Sequence, residues 1–207
     1  MKSKIWPSVM PKDQNELDQL LVKLQGVAQT LHLDFTDGKF VPTKNFWFDF
    51  KLHKGFSYNA HLMVIDPKSW IKKYGKKVDL CISQWEAIDD HQQFINWLRS
   101  QGQKVAFALK PETPLPLQYL SKIDVLQVLT VHPGYYGAPF LKEPLQKIRE
   151  AKKHQPKIKI IVDGGMNPQT IKEAAKAGAD YFVSGSFVTK SDNPKSAMKE
   201  LEKSIRG

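Results

Sequence analysis

Residues 158–184 read I-K-I-I-V-D-G-G-M-N-P-Q-T-I-K-E-A-A-K-A-G-A-D-Y-F-V-S. A short β-rich apolar run, a double glycine, a segment that opens on proline with helical spacing, and a second apolar run spell strand, turn, helix and strand. Working outward, the same alternation fills the chain. Strands are expected at residues 4–9, 30–35, 58–64, 78–83, 104–109, 125–130, 158–163 and 181–184. Helices are expected at 15–24, 67–74, 90–100, 141–154, 168–177 and 194–205, several beginning at Pro or at an Asn or Asp cap. Eight strands alternating with helices predict an α/β fold, a compact (β/α)8 TIM barrel near the lower end of the roughly 200 to 400 residues usual for it. Two connections look abbreviated. Residues 43–57, T-K-N-F-W-F-D-F-K-L-H-K-G-F-S, are too few and too aromatic for an ordinary helix with loops, so the second crossover is expected to be irregular. Pro114 and Pro116 leave room for only a brief helix before Ser121.

A chain of 207 residues with 41% hydrophobic content supports one substantial core, and a single domain over residues 1–207 is expected. No run approaches the roughly 20 apolar residues that span a bilayer, and the first ten residues carry Pro7 and too short an apolar stretch for a secretory signal. A cytoplasmic protein with no membrane partner is the expectation. The one cysteine, Cys81, sits in V-D-L-C-I-S and reads as buried packing. The net charge of +10 could attract nucleic acid, but the lysines are spread along the chain and only Arg99, Arg149 and Arg206 supply guanidinium. A solvated surface that also attracts small phosphorylated substrates is the better reading, and no nucleic-acid partner is expected.

The chemistry concentrates at strand ends. His32 and Asp34 in T-L-H-L-D-F lie two residues apart, so a strand points both the same way; His61 in N-A-H-L-M-V and Asp163 in I-I-V-D-G-G each add a donor. In a barrel of this class the active site forms at the carboxyl ends of the strands, where all four fall. Two imidazoles and two carboxylates suit one divalent ion such as zinc, iron or manganese, without choosing among them. Singly, each has an ordinary explanation as a satisfied core residue or a turn cap. Together, four such groups at the mouth of an apolar barrel are costly to bury without an ion or a substrate. Gly164 and Gly165 follow one late strand and Gly185 with Ser186 the next, where barrel loops bind phosphate through backbone N–H groups. His53, His91 and His154 lie in lysine-rich loop or helix contexts and read as surface or capping residues, and Asp37 before Gly38 reads as a turn.

These segments resemble the ribulose-phosphate 3-epimerase family. The resemblance is carried by P-S-V-M at residues 7–10, L-H-L-D-F-T-D-G-K-F-V-P at 31–42, H-L-M-V at 61–64, T-V-H-P-G-Y-Y-G at 130–137, V-D-G-G at 162–165 and A-G-A-D-Y-F-V-S-G-S at 177–186, in family order. It implies metal-dependent epimerisation at C3 of a ketose phosphate, interconverting ribulose 5-phosphate and xylulose 5-phosphate. Asp34 and Asp163 match the acid/base pair that flanks C3 on opposite faces, and His32, Asp34, His61 and Asp163 match the metal ligands. Ser8, His61 and Met63 match substrate-contacting positions, Gly134, Tyr135, Tyr136 and Gly137 the lid over the sugar, and Gly164, Gly165, Gly185 and Ser186 the phosphate cradle. The chain departs from the family pattern at Thr36 and Leu129, where methionine is usual, at Gln84, a usual histidine position, and at His132, Tyr136 and Ala138 of the lid. Those departures leave two alternatives open: an epimerase for another ketose phosphate, such as allulose 6-phosphate, and a catalytically weakened sugar-phosphate-binding protein. Oligomeric state, a homo-oligomer included, is left open.

Overall fold

The computed structural model describes residues 3–134 and 137–206, and in it the alternation closes on itself. The elements in chain order are β1 (Ile5–Val9), α1 (Gln14–Leu24), β2 (Thr30–Asp37), β3 (Lys44–Asn45), β4 (Ser57–Met63), α2 (Pro67–Tyr74), β5 (Leu80–Gln84), α3 (His91–Ser100), β6 (Ala106–Leu109), β7 (Val125–Leu129), α4 (Leu145–His154), β8 (Lys159–Asp163), α5 (Pro168–Ala177), β9 (Tyr181–Ser184), α6 (Ser186–Thr189) and α7 (Pro194–Arg206). The strands run in the order β1-β9-β8-β7-β6-β5-β4-β2, and a further pairing of β1 with β2 completes a closed parallel barrel. This is the (β/α)8 barrel expected from the sequence.

Polar residues before the helical runs set where several helices begin. Asp13, Asp66 and Asp90 accept from the backbone N–H groups of Glu16, Ser69 and Gln93 at 2.9 Å, and Asn167 with Thr170 forms a capping box at the start of α5. Strand alternation then divides the apolar residues between two cores. In β7, Leu126 and Val128 pack outward under the helices, whereas Val125 joins Trp6, Ile82, Ala106, Ala108 and Ile161 inside the barrel. Trp6 stacks on Tyr181 there at 4.4 Å between ring centroids. The inner positions nearer the carboxyl ends are polar, among them His32, Asp34, His61, Gln84 and Gln127, all buried.

The second crossover is irregular, as expected. Its first residues pair back on β2 as the short antiparallel β3, with Thr36 opposite Asn45. Aromatic rings then take the place of a helix: Phe46 and Phe50 are 1% exposed and lie 4.3 and 5.3 Å from the Phe35 ring, which also meets Trp70 of α2 edge-on. The connection after β6 carries only a 3-10 turn, Leu117–Lys122. Strand β6 starts at Ala106 rather than at residue 104 and β2 runs on to Asp37, and other details also differ from expectation. Helix α4 begins at Leu145 rather than at residue 141, with Pro144 as its cap. Strand β5 spans Leu80–Gln84, two residues later at its start, and Asp79 just before it accepts from the Tyr58 N–H at 2.7 Å through its carboxylate. The Gly185–Ser186 segment opens the short helix α6 and is not an open loop.

Candidate active site

Parallel register assembles the site. Ser8 of β1 lies beside His32 of β2, and Asp34 of β2 beside His61 of β4. Asp163 ends β8, with Leu129 of β7 on one side and Val183 of β9 on the other. Two strands, β9 and β1, separate β8 from β2 around the barrel, so Asp163 reaches the other three from a different direction. One donor atom from each of His32, Asp34, His61 and Asp163 lies within 4.8 Å of the other three.

The distances within this cluster are uneven. His61 Nδ1 is 3.1 Å from Asp34 Oδ1 and 3.4 Å from Asp163 Oδ2. His32 Nε2 is 3.5 Å from Asp34 Oδ1 and 3.7 Å from Asp163 Oδ2, and among the described residues neither of its ring nitrogens has a hydrogen-bond partner although the residue is fully buried. A buried imidazole with both nitrogens unsatisfied, aimed at two carboxylates, is an expensive arrangement for a merely structural residue. The donor set fits a divalent ion: borderline nitrogen and hard oxygen ligands converge from three strands. Burial lowers the His32 pKa against the pull of the Asp34 and Asp163 charges. Burial also acts to lower that of His61, but hydrogen bonds to Asp163 and Asp34 and the charges of both carboxylates outweigh it and raise the value to about 9.

Two buried glutamines support the cluster. Gln127, on the inner face of β7, donates from Nε2 to Asp163 Oδ2 at 2.7 Å and places the same nitrogen 3.1 Å from His61 Nδ1. Gln84, at the end of β5, contacts His61 Nε2 at 2.8 Å. Sequence reading passed over Gln127. Its signal was a polar side chain in the apolar run V-L-Q-V-L, in phase with the inward-facing Val125 and Leu129. Gln84 stands out in the sequence only as a departure from the family pattern, and its partner His61 lies on another strand.

Above the cluster opens a cleft of about 420 Å³, whose lining includes Asp34, His61 and Asp163. Ser8, Met63 and Leu129 line it as well. Thr36 has a different employment: its hydroxyl accepts from the Asn45 N–H at 2.7 Å and ties down β3. At the other end the walls are Gly164, Gly165, Gly185 and Ser186, and among the described residues no lysine or arginine lines the cleft. Gly164 has φ +115°, and a Cβ on it would lie 2.4 Å from Val131 Cγ2. Gly165 has φ +67° and faces Phe140 at 3.0 Å in the same sense. Thr130 fastens this turn by donating its hydroxyl to the Gly164 carbonyl at 2.7 Å. The expected lid departs from the same place. Gly134 and Gly137 line the cleft, and the Gly134 carbonyl accepts from the Thr43 hydroxyl at 2.8 Å. Tyr135 and Tyr136, also expected in the lid, lie outside the described residues.

The remaining candidates keep away from the cluster. His53 pairs with Asp18 at 3.1 Å on the surface, and His91 stacks on Trp85 at 3.5 Å between centroids. Asp37 accepts from the N–H groups of Lys39, Phe40 and Ile65, each at 2.8 Å, which makes it a turn-holding residue. Cys81 is buried, and burial pushes its thiol up to about 12.

The model of the Ribulose-phosphate 3 epimerase family matches residues 4–189. The chain belongs to the ribulose-phosphate 3-epimerase family. Among curated members, the ribulose-phosphate 3-epimerase of Schizosaccharomyces pombe is 31% identical over 217 residues, covering 99% of this chain and 95% of that protein. The enzyme of Mycobacterium bovis is 32% identical, covering 96% and 91%. Among solved structures, the barrel is similar to 3-hexulose-6-phosphate synthase from Salmonella typhimurium, with a TM-score of 0.68 at 16% identity over 99% of both chains. Orotidine 5'-phosphate decarboxylase from Pyrococcus horikoshii gives 0.63 at 16% identity, over 98% of this chain and 99% of that one. Those two likenesses concern the fold alone. Membership makes this epimerase-family chain an enzyme, with a buried His/Asp cluster that could hold a metal ion. None of its described helices is long and apolar enough to cross a membrane.

Proposed function

We propose that the chain is a metal-dependent 3-epimerase that interconverts D-ribulose 5-phosphate and D-xylulose 5-phosphate. The observation that carries this reading is the placement of Asp34 and Asp163. Two carboxylates from separate strands converge on His61 Nδ1, at 3.1 and 3.4 Å, and both face the cleft. Inversion at C3 without redox chemistry needs one group to take the proton from one face and another to return it to the opposite face. In the proposed reaction Asp34 and Asp163 share those duties and exchange them when the direction reverses. The proton removed leaves an enediolate, which is reprotonated at C3 on the other face.

His32, Asp34, His61 and Asp163 would hold the ion. A divalent ion bound there supplies Lewis-acid stabilisation of the negative charge that develops beside the carbonyl, strongest in a site sheltered from water. Met63 and Leu129 supply an apolar wall for a planar intermediate. The glycine end suits the phosphate: its backbone can approach closely, and N–H groups there can donate without a cationic side chain. Ser8 lies between the two ends on β1 and can donate to the sugar.

The test follows the C3 proton of ribulose 5-phosphate by NMR in D2O, with protein before and after metal removal and readdition. Metal-dependent loss of the signal with growth of xylulose 5-phosphate is the expected result. Absence of exchange with zinc, manganese and ferrous ion, in a preparation that does exchange allulose 6-phosphate, would transfer the assignment to a six-carbon ketose phosphate.

A further inference from the structure

His61 offers an ion only one of its two nitrogens, and the structure indicates what decides which. Its Nδ1 faces the carboxylates, while Nε2 points the other way, 2.8 Å from the side-chain amide of Gln84. The orientation of that amide follows from its neighbours. With the oxygen toward the ring, the Gln84 nitrogen donates to the Ala108 carbonyl at 3.2 Å and to Glu86 Oε2 at 2.8 Å; reversed, its oxygen would face only acceptors. Glu86 is itself held, since its Oε1 accepts from the Lys110 N–H at 2.9 Å and from the Thr113 hydroxyl. A chain of fixed polarity therefore runs inward, from two anchors on the loop after β6 through the Glu86 carboxylate and the Gln84 amide to the His61 ring.

We propose that Gln84 is a positioning residue for His61: by accepting from Nε2–H, and being aligned by Glu86, it reserves Nδ1 for a bound ion. The proposal rests on the metal-dependent reading above and adds to it a residue that touches neither the carboxylates nor the cleft. Its physical content is a tautomer choice. A ring free to carry its proton on Nδ1 presents an N–H to the ion and must exchange that proton before it can ligate. A ring whose Nε2–H is committed to a buried acceptor gives up its other proton, the one on Nδ1 facing the carboxylates, when the ion arrives. Partners of this kind, which take the second ring N–H of a ligating histidine, typically change metal affinity by about 10 to 100-fold when removed.

The test measures zinc affinity by chelator competition for wild type, Gln84→Leu, Glu86→Leu and the exchanged pair Gln84→Glu with Glu86→Gln. The expected order is a loss of about 10 to 100-fold for Gln84→Leu and a smaller loss for Glu86→Leu. The exchanged pair keeps an acceptor for Nε2–H and a donor from residue 86 to align it but loses the donor to the Ala108 carbonyl, so its affinity returns part of the way to wild type. Melting temperatures with and without zinc supply the readout that a purely structural role would leave unmoved: the gap between them shrinks in Gln84→Leu. Equal zinc affinity in wild type, Gln84→Leu and Glu86→Leu overturns the proposal. Should Gln84→Leu fail to fold, Glu86→Leu decides alone, because residue 86 is exposed and its loss opens no core. Wild-type protein that binds no divalent ion and shows no C3 exchange removes the functional reading and this proposal together. Wild-type protein that does both, with unchanged zinc affinity in the variants, removes this proposal only.

Discussion

The two ends of the cleft are built by opposite means. At the cluster end, four ionisable side chains stand on strands whose positions are fixed by parallel register, and their donor atoms meet within 4.8 Å. At the glycine end, the wall is main chain: Gly164 and Gly165 turn at φ +115° and +67°, and no lysine or arginine lines it among the described residues. The first end depends on chemistry, since isosteric replacements keep its shape and remove its function. The second depends on shape, since a single methyl group changes it without altering any charge. Substitutions should therefore fail differently at the two ends.

The largest effect is expected at Asp163. Asp163→Asn keeps the volume and the Gln127 contact but removes the proton acceptor, so C3 exchange should fall by about a thousandfold or more, in line with the loss of a general base and of one ion ligand. Near-normal deuterium incorporation in that variant would take Asp163 out of the mechanism. His32→Leu comes next and separates stability from function. Since both ring nitrogens of His32 are unsatisfied without an ion, an apolar replacement should leave the metal-free melting temperature unchanged or higher while zinc affinity falls by about 100-fold. A matching drop in the metal-free melting temperature would show that His32 has a structural role and that the cluster end does not depend on chemistry alone.

Gly164→Ala probes the other end. Its Cβ would sit 2.4 Å from Val131 Cγ2, at a φ that alanine adopts only under strain, so the turn must shift. The expected result is a KM raised by about tenfold with zinc affinity intact, the reverse of the His32 pattern, because remote phosphate contacts are lost while the ligands stay in place. Adding Val131→Ala should recover part of the loss by relieving the contact but not the backbone strain. If zinc affinity fell as far as substrate affinity, the two ends would not be independent.

The same division explains what could be read from sequence. The cluster was legible because strand periodicity is a short-range rule: His32 and Asp34 two residues apart must share a face, and the ends of β4 and β8 supply the rest. The barrel followed from the repetition of strand and helix, and the aromatic crossover from a segment too short to hold both. Gln84 and Gln127 were harder, since an amide in a strand shows its purpose only when its partner from another strand is known. Gln84 meets His61 across the β4–β5 pairing, and Gln127 meets Asp163 across β7–β8. The start of α4 was misplaced because L-K-E before Pro144 has ordinary helix formers, and the proline that ends the loop outweighs them. Helix α6 is four residues long, too short for periodicity to announce.

The smallest expected effect is also confined to one end. The only titratable side chains in the described lining of the cleft are Asp34, His61 and Asp163, so the glycine end should be silent to pH. In metal-free protein His61 is held at about 9 against an ordinary 6.5, and the stability this gives is complete below pH 6.5 and lost as pH rises through about 9. His32 is depressed instead, so it stays neutral in the fold while the unfolded chain takes up a proton, and stability is lost as pH falls below 6.5. The two limbs give the cluster's contribution a maximum near pH 6.5, measurable as a shift of melting temperature between pH 5 and 9.5. His61→Gln should abolish the high-pH limb and His32→Leu the low-pH limb, each leaving the other. Zinc competes with the proton on His61, so its apparent affinity should climb from pH 6.5 until about pH 9 and then level off. A zinc affinity that did not change over that range would mean that His61 carries no proton to displace, and would place the raised pKa, and with it the close pairing of His61 to both carboxylates, in error.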